Sequence, residues 1–208
     1  MTYIVYGDPG SGSSTVELAL TAIGARYEIR DVPLDDDAQR RRDYAAVNPA
    51  RKLPTLVTPL GETLTESLCI LLTLDERHRQ AGLMPPPASP ERARALRWLC
   101  FVATELYPLV EINDYPERFA PEGTDPAAVR ERARAMWRER WTIVEGAIEG
   151  DPWLLPSAMT LADIYIAAVS RWVQKDEWRP ATLPRIERIA RAIGEHPVLA
   201  GTWSRHFA

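Results

Sequence analysis

Three consecutive prolines, Pro85 to Pro87, separate two stretches of different periodicity, and that break limits the possible folds more than any other feature of the chain. A proline run offers no amide hydrogens to a helix or a central strand, so it marks a connection. The composition changes there too, because all seven tryptophans follow it. Upstream, Tyr3-Ile4-Val5-Tyr6 is a short apolar run stopped by Gly7-Asp8-Pro9-Gly10, the pattern of a buried strand entering a tight loop. Val16, Ala19, Leu20 and Ile23 then fall on one helical face, Gly24 stands where a helix-ending glycine belongs, and Tyr27-Glu28-Ile29-Arg30 alternates as a second strand. Asp35 to Val47 is charged and weakly helical. Leu56-Val57-Thr58 and Thr63-Leu64-Thr65 flank Gly61 as a hairpin, and a helix with Leu68, Leu71 and Leu72 on one side follows. The order strand, helix, strand, helix, strand, strand, helix predicts an α/β domain over residues 1–80, a small sheet with helices on its faces.

Residues 81–88 form the expected linker, and residues 89–208 read as all-α. Ser89 and Pro90 supply an N-cap and an N1 proline, after which Ala93, Leu96, Cys100, Ala103, Thr104 and Tyr107 form one stripe of a long helix. Asp125-Pro126 repeats the start signal ahead of a face carrying Val129, Ala133, Met136, Trp137, Val144 and Ile148. Shorter helices are expected around Ile164, Ile186 and Val198.

With 46% hydrophobic and 26% charged residues, the 208-residue chain can bury one large core or two modest ones. Its 23 arginines and two lysines are interleaved with 29 acids at a net charge of −4, which leaves no basic stripe for a nucleic acid. The start MTYIVYGDPGS lacks a basic segment followed by a long apolar one, and no run reaches the ~18 apolar residues of a membrane span, so the expected location is the cytoplasm. Cys69 and Cys100 form no CxxC, and His78, His196 and His206 show no ligand spacing, so neither a disulfide framework nor a metal site is expected.

Three segments could carry chemistry. Gly10-Ser11-Gly12-Ser13-Ser14-Thr15 lies between the first strand and helix, where free amides and the helix's positive end favour an anion. A dinucleotide fingerprint is one reading, with Asp31 as the ribose acid, but Thr15 stands at the third glycine and the helical second half leaves no room for a doubly wound sheet. A thiolate site is another, and helix capping by the serines a third. In Lys52-Leu53-Pro54-Thr55-Leu56 a proline enters an apolar strand, where exposed backbone groups could pair with a peptide ligand in strand fashion; the residues alone leave the isomer of the Leu53-Pro54 bond open. Thr65-Glu66-Ser67 opens the next helix, either as a cap by Thr65 or as a cluster able to hold an amino acid's ammonium and carboxylate.

Together, in this order and spacing, these segments resemble the cytosolic glutathione S-transferase family across nearly the whole chain. The resemblance implies an α/β thioredoxin-like N-terminal domain, an all-α helical C-terminal domain, glutathione as co-substrate, no metal and a two-fold homodimer. It implies that the loop presents the catalytic hydroxyl, Ser13 first and Ser11 second, with Tyr6 a distant third. It further implies that Leu53 precedes a cis Pro54 and pairs with the cysteinyl backbone, that Lys52 faces the glycyl carboxylate, and that Glu66 and Ser67 hold the γ-glutamyl end. Met159-Thr160-Leu161-Ala162-Asp163-Ile164 looks like the family's buried capping box, with a folding role. Trp98 to Tyr107 resembles the fourth-helix segment of bacterial beta-class members, which implies that Cys100, Phe101 and Tyr107 meet a small hydrophobic electrophile; Trp98 is expected to be packing. Gly12 stands at the beta-class cysteine position, so a mixed disulfide there is excluded. The implied activity is thiol conjugation, with peroxide reduction, isomerisation or non-catalytic glutathione binding as alternatives.

Overall fold

The computed structural model describes residues 2–35, 37–173 and 177–207. β1 (Tyr3–Gly7) runs parallel to β2 (Tyr27–Asp31) and antiparallel to β3 (Thr55–Val57), and β3 pairs antiparallel with β4 (Thr63–Leu64). The four-stranded sheet therefore has the order β2-β1-β3-β4. A parallel pair needs a crossover, and α1 (Ser13–Ile23) supplies it between β1 and β2. With α2 (Arg42–Val47) before β3 and α3 (Ser67–Arg77) after β4, the element order is the one the periodicity predicts.

On one face of the sheet Val16, Leu18, Ala19 and Leu20 of α1 are buried with Ile70, Leu71 and Leu74 of α3. Leu71 faces inward as expected, whereas Leu68 and Leu72 are half-buried and Ile70 and Leu74 take the inner positions. A second small core gathers Val32, Ala38 and Tyr44 with Tyr6, Val47 and Leu53, and the Tyr6 and Tyr44 rings lie 5.8 Å apart. Gly24 ends α1 at φ 73°, a left-handed conformation that favours glycine.

By packing, Met1–Met84 and Ile193–Ala208 form one unit and Pro85–Ala192 another. The segment 193–208, expected with the helical domain, packs with the first unit. There the Thr202 hydroxyl of α10 (Ala200–Phe207) bonds that of Thr21 on α1 at 2.9 Å. Periodicity shows which face of a helix is apolar and leaves its partner open.

The second unit is helical: α4 (Pro90–Phe101), a π-helical turn (Val102–Leu106), α5 (Tyr107–Asp114), α6 (Pro126–Gly146), α7 (Leu161–Val169), α8 (Trp178–Thr182) and most of α9 (Pro184–Gly194). Both start signals hold: the Arg92 amide donates to Ser89 Oγ at 3.1 Å and the Ala127 amide to Asp125 Oδ1 at 2.9 Å. The buried stripe of α4 and α5 is Ala95, Trp98, Leu99, Val102, Leu106 and Leu109, while Ala93, Cys100 and Thr104 of the expected stripe are exposed. This face carries Trp98, Leu99, Leu106 and Leu109, the largest apolar area of the helix pair, and turning it inward removes the most from water. Pro108 cannot supply the amide that the Thr104 carbonyl needs in an α-helix, and the turn before it is wound as a π-helix.

The capping box is present. The Ala162 amide donates to Thr160 Oγ1 at 3.2 Å, Asp163 Oδ2 accepts from the Thr160 amide at 2.7 Å, and Asp163 Oδ1 accepts from the Leu154 amide at 2.6 Å. Burial pushes the Asp163 carboxyl up to about 6 against these bonds. Among the described residues no helix is long and apolar enough to cross a membrane.

Candidate functional site

The register of the sheet brings three distant segments to one end. Tyr6 pairs with Thr55 and Leu56 with Leu64. The chain therefore leaves β1 into the serine loop, enters β3 from Pro54 and leaves β4 toward Glu66, all at the same edge. Ser11, Ser13, Lys52, Leu53, Pro54, Glu66 and Ser67 all lie on these segments.

The first segment is closely built. A Cβ at Gly7 would lie 2.3 Å from Cβ and Oγ of Ser13, so only glycine lets the start of α1 approach the end of β1. Ser13 is fully buried, and its hydroxyl donates to Glu17 Oε1 at 2.9 Å. Ser11 retains 7% of its exposure. Its oxygen accepts from the amides of Asp8 at 3.2 Å and Ser13 at 3.3 Å, and its hydroxyl donates to Ser13 Oγ at 3.2 Å. The two expected serines thus stand together with different freedom: the Ser13 hydroxyl donates to a buried carboxylate, the Ser11 hydroxyl to a neutral oxygen at long range.

The second segment is held by a polar clamp that sequence reasoning missed. The Lys52 carbonyl accepts from the Tyr44 hydroxyl at 2.7 Å and from Asn48 Nδ2 at 2.8 Å, and Thr55 Oγ1 contacts Tyr44 at 2.8 Å and Asn48 at 3.1 Å. Burial pushes the Tyr44 phenol up, which keeps it a donor. The Leu53-Pro54 bond is cis, Leu53 is half-buried and the Lys52 side chain is exposed.

In the third segment Thr65 is not the cap. Glu66 occupies that position without a side-chain cap bond, at φ 62° and ψ 108°. A non-glycine residue held there stores about 1–3 kcal/mol of backbone strain, a cost that concentrates at ligand sites. Glu66 is exposed and Ser67, the first residue of α3, is buried.

In the helical unit, Cys100 is exposed and Phe101 lies edge-on to buried Trp98 at 5.4 Å. Trp98 is packing, as expected. Tyr107 is half-buried, with its ring 5.1 Å from Trp172 and 6.4 Å from Tyr165. A groove of about 390 Å³ in this unit is lined by Leu109, Ile112, Phe119 and Met136 among others, and by none of the three expected electrophile residues.

The dinucleotide reading is overturned, because β1 pairs antiparallel with β3 in a four-stranded mixed sheet, and Asp31 at the end of β2 lies 3.5 Å from the Arg205 guanidinium. Among the described residues no group of three or more His, Cys, Asp or Glu side chains could hold a metal ion. Glu17 and His206 were also missed. Glu17 reads as one polar residue in an apolar helix, and His206 lies 196 residues from the loop it touches.

The sequence model of the glutathione S-transferase N-terminal domain matches residues 5–82. The chain is 30% identical over 204 residues to the uncharacterized GST-like protein YncG of Escherichia coli K12, covering 97% of each. It is 29% identical over 199 residues to a maleylacetoacetate isomerase of Pseudomonas aeruginosa, covering 90% of this chain and 88% of the relative. A Sulfitobacter glutathione transferase homolog solved with bound glutathione shares the fold at a TM-score of 0.89, with 22% identity and 98% of each chain covered. The chain belongs to the glutathione S-transferase family.

Proposed function

We propose that this protein binds glutathione at the loop end of its sheet and activates the thiol for conjugation to a small hydrophobic electrophile. One observation carries the reading: the sheet register sets the serine loop, the Leu53-cis-Pro54 turn and the strained Glu66-Ser67 corner side by side. In this reading Glu66 and Ser67 hold the γ-glutamyl end, Leu53 pairs with the cysteinyl backbone beside Pro54, and Lys52 faces the glycyl carboxylate. Tyr107, Phe101 and Cys100 contact the electrophile, and the assembled protein is a homodimer. The family and the glutathione-bound Sulfitobacter homolog support it.

An unperturbed thiol titrates near ~8.5, and each unit of lowering corresponds to about 1.4 kcal/mol of anion stabilisation. The positive end of α1 and one hydroxyl can supply that. The geometry favours Ser11 over Ser13 as the donor, because Ser11 gives up only a long bond to a neutral oxygen, whereas Ser13 would have to leave a buried carboxylate. The thiolate then forms a carbon–sulfur bond and the leaving group departs with its electron pair.

The test is conjugate formation with a chlorodinitrobenzene-type aryl halide. Ser11→Ala is expected to lower kcat roughly tenfold and to raise the bound thiol's pKa by about one unit, with the glutathione KM within about twofold. An unchanged kcat removes Ser11 from the mechanism. The isomerase relative favours a second reading at the same site. Turnover of maleylacetoacetate without net use of glutathione, and no aryl conjugate, would replace conjugation with it.

A further inference from the structure

Glu17, on the inward face of α1, is a fully buried carboxylate. Its Oε1 accepts the Ser13 hydroxyl, while Oε2 lies 3.3 Å from Arg205 Nε and 3.2 Å from His206 Nε2. Both basic residues come from α10. Arg205 is partly exposed and also reaches Asp31, whereas the His206 side chain has no exposure at all. The other ring nitrogen, His206 Nδ1, accepts the Gly10 amide at 3.0 Å. An acceptor nitrogen carries no proton, so in this arrangement the ring's hydrogen is on Nε2, which lies near Glu17 without a hydrogen bond to it. Gly10 sits at φ 74° immediately before Ser11; glycine enters this conformation freely but leaves it as freely, and the bond from its amide to His206 selects it. The ring therefore fastens the serine loop through Nδ1 and packs its other side against the carboxylate that holds Ser13.

We propose that His206 is a positioning residue, which holds the Gly10-Ser11 turn in the conformation that presents the Ser11 hydroxyl to the glutathione sulfur. This rests on the glutathione reading above. His206 touches no substrate atom; it acts through the Gly10 amide. The last helix is thereby part of the thiol-activating apparatus, although it follows the helical unit in sequence. Glu17 bonds Ser13 through Oε1 and packs its Oε2 3.2 Å from His206 Nε2, so the ring that anchors the turn also lies against the carboxylate that holds Ser13.

The test compares His206→Asn with His206→Gln in the full-length protein. Asparagine can place an oxygen where Nδ1 stood, whereas glutamine reaches toward the Nε2 position. His206→Gln is expected to lower kcat about tenfold, to raise the bound thiol's pKa by about one unit and to leave the aryl halide KM within about twofold; His206→Asn should stay within about threefold of wild type on all three. The Gly10 amide should exchange with solvent at least tenfold faster in the glutamine variant than in the asparagine variant. Equal kinetics and equal pH profiles in the two variants would overturn the proposal. If both fail to fold, nitrogen chemical shifts of the wild-type ring decide: an unprotonated Nδ1 and protonated Nε2 are expected, and a protonated Nδ1 would overturn it. Failure of the wild type to bind or turn over glutathione sinks the functional reading instead, and the Gly10 exchange rates then show whether the anchor exists without it.

Discussion

Gly7 and Gly146 show how differently one residue type acts in this chain. At Gly7 a methyl group would fall 2.3 Å from two atoms of Ser13, so α1 would have to move away from β1 and carry the serine loop with it. Gly7→Ala is expected to cost about 2–3 kcal/mol in chemical denaturation and to impair any glutathione-dependent activity. Gly146, at the end of α6, has open space around it, and Gly146→Ala should be neutral or stabilise by up to about 1 kcal/mol. Equal effects from the two substitutions would contradict the packing described. The loop serines were legible as a site because polar residues between a buried strand and a helix stand out. Their hydrogen bonds were not, because the carboxylate that orders them, Glu17, reads locally as one polar residue among apolar ones.

The capping box of α7 joins the residue pattern to the stability of an element. Thr160 and Asp163 close on each other, and Asp163 also accepts the Leu154 amide, so one carboxyl ties the chain before the helix to the helix itself. Its folded value of about 6 lies above the ordinary aspartate range. The folded protein therefore keeps a proton where the unfolded chain has lost it. The stabilisation is complete below about pH 4 and is lost as pH rises through 6, to a total of about 3 kcal/mol. Asp163→Asn removes the titrating group. The unfolding free energy of the wild type, measured against that variant, should fall by most of this amount, about 2 kcal/mol, between pH 4 and 7, and a difference constant with pH would contradict the assignment. The motif was readable from its spacing alone, as were the Ser89-Pro90 and Asp125-Pro126 starts, because capping is a local interaction. The inner stripe of α4 was not: several of its faces carry small apolar residues, and only the packing of Trp98, Leu99 and Leu106 decides among them.

Across the molecule, the proline run and the change of periodicity were enough to indicate an α/β part followed by helices, since both follow from local backbone preferences. The return of residues 193–208 to the first unit was beyond their reach, because its contacts, Thr202 with Thr21 and His206 with Gly10, join residues that meet only in the folded chain. The candidate site has the same division. Its segments are local motifs, but their convergence is set by the pairing of β1 with β3 and of β3 with β4. The claim that matters most is that this convergence lowers the pKa of a glutathione thiol. A pH titration of thiolate absorbance with glutathione bound to the wild-type protein tests it directly. The account predicts a bound thiol titrating at least one unit below the ~8.5 of a free thiol, and a bound thiol that titrates like the free one would contradict it.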